Sequence, residues 1–249
     1  MMDLRWAWRG LKTRYRDQAH ELRAIHEALR GGGVALDVGS NKGSYLYSMA
    51  QWSRGAPVIA FEPQRKLVGN LVRACQRSGF RNVTIENLAL SDRTGELQLY
   101  VPGDADSPGA SLESGIAGKT PCHTETVQVT TLDAYVAGHL KSPVRVIKID
   151  VEGHELAVVQ GAMATIRRDH PLLVIECEGR HLPPGKSVRE FLAFVEALGY
   201  AASLAVPGKP ELPAGQFRDE IHQKEAGERF WDAKNYHNNF IFRPTGTSI

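Results

Sequence analysis

The chain has 249 residues, of which 42% are hydrophobic, 23% charged and 8% aromatic, a composition that excludes a disordered or low-complexity chain. That length suggests one large domain, or one with a small appendage, able to bury roughly three quarters of its unfolded surface without metals or disulfides. Thirty Lys and Arg against 28 Asp and Glu leave a formal charge of +2, which argues against a dedicated nucleic-acid binder.

Cys75, Cys122 and Cys177 are odd in number, far apart and without C-x-x-C spacing. A disulfide framework or a cysteine zinc site is therefore not expected, and a reducing cytoplasm is the default compartment. No uncharged apolar run approaches the ~18–20 residues of a membrane span. The first residues, MMDLRWAWRGLKTRYR, disperse arginines through the stretch and lack the apolar core of a secretory signal.

Residues 1–30 read as one amphipathic helical stretch, with Leu22, Ile25 and Leu29 on one face and Arg5, Arg9, Lys12, Arg14, Arg16 and Arg23 on the other. Its simplest role is a docking helix with a solvated face; the alternative is a patch for an anionic glycan, a membrane surface or a second subunit, the last implying a homo-oligomer. Gly31-Gly32-Gly33 breaks it, which suggests a helical appendage over 1–33 and a main domain over 34–249. From there short apolar runs at 34–38, 58–62, 83–86, 144–150 and 172–176 alternate with helix candidates at 43–53, 65–78, 132–140 and 155–168. A further helix at 188–198 opens with the capping box Ser187-x-x-Glu190. Near-continuous apolar strands alternating with helices indicate an α/β doubly wound, mostly parallel sheet.

Two segments interrupt the alternation. Residues 96–100 and 125–130 look like an antiparallel hairpin inserted after the third strand, joined by a Gly-, Ser- and Pro-rich connection over 103–124 that is either disordered or a lid. Late runs near 199–206 and 237–243, separated by the polar excursion 207–235, suggest an antiparallel edge.

Three stretches carry chemistry. The first run ends in Leu36-Asp37-Val38-Gly39-Ser40-Asn41-Lys42-Gly43. Its glycines are spaced G-x-x-x-G, unlike the dinucleotide fingerprint, and Asp37 stands where it would repel a pyrophosphate and attract an ammonium or sulfonium. The second run ends in Phe61-Glu62-Pro63, where a carboxylate can accept the two hydrogen bonds of a ribose diol, or else cap the following helix. The fourth run delivers Asp150, followed by Glu152, His154 and Glu155, to the carboxyl end of the sheet, where open α/β sheets bind ligands. Acids at a helix start also gain ~0.3–1 kcal/mol from the helix dipole, so density rather than any one residue marks this stretch. Lys148, a cation within an apolar strand, implies an acidic partner that the sequence does not name.

With these stretches the chain resembles the FkbM family of S-adenosylmethionine-dependent methyltransferases. The matching segments are LDVGSNKG at 36–43, FEP at 61–63, NLALSD at 87–92, GELQLYV at 95–101, TLDAY at 131–135 and IKIDVEGHELAVVQG at 147–161. The resemblance implies a Rossmann-like, class I methyltransferase sheet of seven strands, ordered 3-2-1-4-5-7-6 with the last antiparallel. It implies S-adenosyl-L-methionine as cofactor, with Asp37, Gly39, Ser40, Asn41 and Gly43 at its methionine and ribose, Glu62 and Pro63 at the ribose, Asn87 and Ala89 at the adenine, and Asp150 beside the methyl group. It further implies O-methylation of a hydroxyl on a sugar, glycan or macrolide-type secondary metabolite.

An alcohol acceptor needs its proton removed as the new bond forms. His154, Asp150 and Glu152 are the candidates for that base, His154 because an imidazole titrates near neutrality. The same Asp150-x-Glu152-x-His154 set can ligate a divalent ion, although no paired-histidine spacing supports it, and no metal is expected. Two other classes remain open: a nicotinamide-dependent oxidoreductase, and a non-catalytic module that binds S-adenosylmethionine or a partner through the basic helix.

Overall fold

The computed structural model describes residues 4–103, 107, 109–117, 121–183, 185–225, 230, 233 and 235–246. Its main sheet is built from β1 (Val34–Val38), β2 (Val58–Phe61), β3 (Val83–Glu86), β7 (Val144–Ile149), β8 (Leu172–Glu176), β9 (Tyr200–Leu204), β10 (Leu212–Pro213) and β11 (Asn239–Pro244). The spatial order is β3-β2-β1-β7-β8-β11-β9-β10. β1, β2, β3, β7 and β8 pair in parallel, and β11 runs antiparallel to both β8 and β9. The expected count of seven strands is corrected to eight. The addition is the two-residue β10, which pairs through Leu212 and Pro213 with the outer edge of β9. Proline gives up a ladder donor, so so short a strand is at home only on an edge.

β1 is buried along its whole length, and its neighbours β2 and β7 lead away in opposite directions through the sheet. That reversal opens a crevice at the carboxyl ends of the strands. On one face Leu36, Val38, Ile147, Leu173 and Phe240 join one apolar core; on the other Ala35, Val146, Val174 and Ile241 join a second.

The N-terminal stretch is two helices rather than one, α1 (Leu4–Lys12) and α2 (Ala19–Ala28), joined by a wider turn over Thr13–Asp17. α1 packs on α3 (Leu46–Trp52), whereas α2 packs on β7, β8 and β11, and a straight helix does not reach both surfaces. Leu22, Ile25 and Leu29 are fully buried in the second core, each contributing roughly 1.5–3 kcal/mol of apolar burial. Trp6 fixes α1: its Nε1 donates to the Gly43 carbonyl at 2.9 Å and its ring packs edge-on against Tyr47 and Phe80.

The helix expected over 155–168 is also divided, into α7 (Glu155–Gln160) and α8 (Met163–Asp169). Gly161 lies against the Ser91 carbonyl, where any Cβ would collide, and the Asp133 carboxylate accepts from the Ala164 and Thr165 amides to start α8 afresh. α4 (Arg65–Ser78), α6 (Leu132–His139) and α9 (Val188–Glu196) form close to expectation, and α9 carries the reciprocal Ser187–Glu190 capping box.

The inserted hairpin is longer than expected. β5 (Gly95–Pro102) and β6 (Cys122–Thr130) pair antiparallel, and β4 (Ala89–Leu90) adds to β6 to make a three-stranded sheet with its own core of Ala89, Leu99, Val101, Val127 and Val129. The connection is correspondingly shorter than 103–124, because β6 already begins at Cys122. Ser111 pairs with Tyr100 by two backbone hydrogen bonds, and a short helix, α5 (Ser114–Ala117), follows. Residues 104–106, 108 and 118–120 of this connection, and 226–229, 231, 232 and 234 of the excursion 207–235, lie outside the described residues.

Candidate active site

A cleft of about 760 Å³, open to solvent at its mouth, lies over the carboxyl ends of β1, β2, β7 and β8. Val38, Gly39 and Asn41 line it after β1; Phe61, Glu62, Pro63 and Gln64 after β2; Leu88, Ala89 and Leu90 after β3. Asp150, Val151 and Glu152 line it after β7, and Glu176 closes β8. Leu99, Ala110 and Leu112 of the insertion complete its wall.

Gly39 makes the first turn possible. Its φ is 73°, and a Cβ would meet the Asp150 carbonyl. Only glycine satisfies both conditions, so the β1 loop and the end of β7 lie in direct contact. The loop continues the sheet's ladder, since the Gly39 and Ser40 amides donate to the Phe61 carbonyl at 3.0 and 3.1 Å. Asn41 adopts a left-handed φ of 47°, its amide donates to Glu62 Oε2 at 2.7 Å, and its buried Oδ1 has no hydrogen-bond partner.

Glu62 is held by two backbone amides at the edge of the cleft. Oε1 accepts the Gln64 amide at the start of α4, Oε2 accepts Asn41, and the carboxylate lines the cleft. Burial pushes its pKa up to about 7, the two amide donors pulling the other way. Asn87 Nδ2 donates to the Glu62 and Pro63 carbonyls, so it braces the end of β2, and it is Leu88, Ala89 and Leu90 that line this part of the cleft.

Asp37 does not face the cleft. Its side chain is 1% exposed, and Lys148 Nζ sits 3.3 Å from Oδ1, 3.4 Å from Asp150 Oδ2 and 2.9 Å from the Gly39 carbonyl that it donates to. Asp37 and Asp150 are therefore the acidic partners of Lys148. Burial opposes the ammonium's charge, but the two carboxylates outweigh it and raise the Lys148 pKa. Burial raises Asp37 as well, with Lys148 pulling it back. Ser40 Oγ donates to the Asp37 carbonyl, and Gly43 is held beneath Trp6, so both shape the loop without lining the main cleft.

Asp150, Glu152 and Glu176 bring one carboxylate oxygen each within 4.8 Å of one another. Glu152 sits on a left-handed turn, φ 53°. Burial, then the neighbouring Asp150, Glu178 and Glu155, push its pKa up to about 9. Glu176 is raised for the same reasons, burial first, and accepts from Asn238 at 2.8 Å. Such a donor set suits an oxygen-ligated divalent cation as well as an organic cation. The metal set weighed from the sequence is thereby corrected: Glu176, from the next strand, takes the place given to His154.

His154 lies apart from the cleft. Nε2 is 2.9 Å from Ser91 Oγ and Nδ1 is 2.7 Å from Glu113, so both ring nitrogens are engaged in pinning the insertion to the start of α7. Ser111 Oγ, donating to the Glu152 carbonyl, and Gln64, exchanging two hydrogen bonds with the Ser107 backbone, are further pins of the same segment. Glu155 Oε1 accepts from the Val151 and Gly153 amides at 3.3 and 3.0 Å, turned back on its own loop. Sequence reasoning missed Glu176, Glu113 and Gln64, and nothing in their spacing marks them.

The methyltransferase FkbM domain model matches residues 37–202, a stretch that runs from the end of β1 into β9 and contains every cleft-lining residue. The chain belongs to the FkbM methyltransferase family. Among solved structures, a methyltransferase FkbM from Methylobacillus flagellatus is similar at 16% identity and TM-score 0.51, over 85% of this chain and 43% of that one. This FkbM chain thus spans less than half the length of that protein. A putative rRNA-methylase from Clostridium thermocellum is similar at 8% identity and TM-score 0.52, over 94% and 98% of the two chains. A putative O-methyltransferase from Klebsiella pneumoniae is similar at 10% identity and TM-score 0.50, over 97% and 89%. At such identities the likeness is one of fold. No curated protein matches the chain.

Proposed function

We propose that this FkbM methyltransferase moves a methyl group from S-adenosylmethionine to a hydroxyl of a sugar, glycan or related metabolite. The observation that carries the reading is the donor set of the cleft: its described lining holds four carboxyl groups, Glu62, Asp150, Glu152 and Glu176, and no Lys or Arg. A pyrophosphate finds no cationic partner in that lining, which disfavours a nicotinamide dinucleotide, whereas a sulfonium and a hydroxyl-rich partner meet carboxyl groups on several sides. The unpartnered Asn41 Oδ1 offers one further acceptor at the cofactor loop.

In this reading Glu62 receives the ribose hydroxyls on the lone pairs that Asn41 and Gln64 leave free, and Leu88 to Leu90 flank the adenine. When bound, S-adenosylmethionine supplies an activated methyl carbon on a good sulfur leaving group. Asp150, held by Lys148, orients the acceptor hydroxyl, and orientation is where up to ~7–11 kcal/mol of such a displacement originates. With a sulfonium bound beside it Glu152 would release its own proton to solvent, and the carboxylate would then take the hydroxyl proton as the oxygen–carbon bond forms and the carbon–sulfur bond breaks. A base with a pKa near the working range contributes ~10²–10⁴-fold. Leu99, Ala110 and Leu112 of the insertion, which His154 and Glu113 pin, give the site one apolar wall.

A thermal-shift titration tests the cofactor. S-Adenosylhomocysteine at 100 times its Kd should add about 2.7 kcal/mol, roughly 5–10 °C for a chain of this size. Glu62→Gln should lose most of that shift. A shift with NADH and none with S-adenosylhomocysteine overturns the reading. Formation of S-adenosylhomocysteine against a panel of free, nucleotide-linked and lipid-linked sugars then tests the acceptor.

A further inference from the structure

α1 has two faces of opposite character. Trp6, Ala7 and Gly10 are buried on the side that packs on α3 and Gly43. Leu4, Trp8 and Leu11 of α1, continued by Tyr15 in the wider turn that follows it, come three or four residues apart, point outward and are 71%, 68%, 44% and 70% exposed. They account for four of the six large hydrophobic residues exposed among the described ones. Solvent gives no reason to place a leucine–tryptophan–leucine–tyrosine row on a helix whose inner face is already satisfied. Cations flank the row: Arg5 and Lys12 are exposed and Arg9 half-buried, while Arg14 stands over the Tyr15 and Trp52 rings at 5.0 Å. From Leu4 to Arg16 the sequence has no acidic residue, Asp3 and Asp17 bracketing the stretch.

We propose that this outer face of α1 docks the protein on an anionic lipid surface. An amphipathic helix with Trp and Leu on one side and Arg and Lys along its borders lies in the plane of a bilayer, its apolar row in the acyl boundary and its cations at the headgroups. Trp8 and Tyr15 are the residue types that settle at that boundary. A second copy of the chain is the poorer occupant, because two-fold pairing of this face sets Arg5, Arg9 and Lys12 against their own equivalents. The helix does not need to fold on docking, since Trp6 already clamps it to Gly43. Arg9 also lines a groove that runs past Lys42 and Ser44 to Gly39 and Asp150, so the docking face and the cleft open onto one trough. No helix among the described residues is long and apolar enough to cross a membrane, so attachment is peripheral.

This docking goes beyond the methyl-transfer reading, and its test needs no turnover. The full-length protein is sedimented with phosphatidylcholine vesicles, with and without phosphatidylglycerol. Binding should require the anionic lipid and fall as salt is raised. Trp8→Ser with Leu11→Ser, and separately Arg5→Ser with Lys12→Ser, should each weaken it at least about tenfold. Unchanged melting temperatures show that both variants fold. Absence of binding to anionic vesicles, equal binding to neutral ones, or undiminished binding by both variants overturns the proposal. So does a dimer in solution that Trp8→Ser with Leu11→Ser abolishes, or an RNA oligonucleotide that binds more tightly than the vesicles.

Discussion

Replacing Lys148 by Met keeps most of the apolar stem while removing the ammonium that stands 3.3 Å from Asp37, 3.4 Å from Asp150 and 5.2 Å from the centre of the Tyr45 ring. Asp37 is left buried, 1% exposed, with no hydrogen bond of its own to either carboxylate oxygen. Removing one partner of a buried ion pair costs about 3–5 kcal/mol, which for a chain of this size lowers Tm by roughly 6–20 °C. The pH dependence gives the charge away. Burial already raises the pKa of Asp37, and Lys148 is what pulls it down. Without Lys148 the folded value rises further above the unfolded value of about 3.9, so between the two the native state binds the extra proton and stability falls as pH rises. The deficit should therefore be largest at neutral pH and shrink as pH is lowered toward 5. Asp37→Asn in the Lys148→Met background should recover at least about 2 kcal/mol, since the two sites share one interaction. Denaturant melts of the parent, both single variants and the double variant at several pH values measure all of this. A deficit that does not change with pH, or no recovery in the double variant, would refute a charged Asp37–Lys148 pair.

Two further outcomes are expected. Because burial holds Glu152 at about 9, a sulfonium beside it must release a proton: affinity for S-adenosylmethionine should climb by up to ~10-fold per pH unit below about pH 9 and then level. S-Adenosylhomocysteine, neutral at sulfur, should show a weaker dependence, and identical calorimetric pH profiles for the two would remove Glu152 from the neighbourhood of the methyl group. His154→Ala should cost about 1–3 kcal/mol of stability by unpairing Ser91 and Glu113, and should expose 107–117 to proteases. If turnover instead lost its acidic limb with stability and proteolysis unchanged, His154 would be a base after all.

The sequence by itself determined the α/β alternation, the order of the motifs and the glycine turn that follows β1, because each of these is local. Short apolar runs rich in β-branched residues and bounded by turn residues read as strands from their own composition, Ser187-x-x-Glu190 caps α9 with its own atoms, and Gly39 marks a turn that no other residue makes. Glu62 was legible for the same reason, at the end of its strand. What only the tertiary structure decided involves groups that come from different strands and meet by packing. Asp37 and Lys148 are adjacent because β1 pairs with β7 in a register that sets one opposite the other, which turned an expected cofactor contact into a buried ion pair. Glu176 joins Asp150 and Glu152 because β8 lies beside β7. His154 stands with its acidic neighbours in the sequence but is drawn away from them by Ser91 and Glu113, each far from it along the chain. Propensity and capping act over one turn of chain, whereas carboxylate pKa values, ion pairs and the exposure of the α1 row depend on which distant surfaces the fold brings into contact or leaves uncovered.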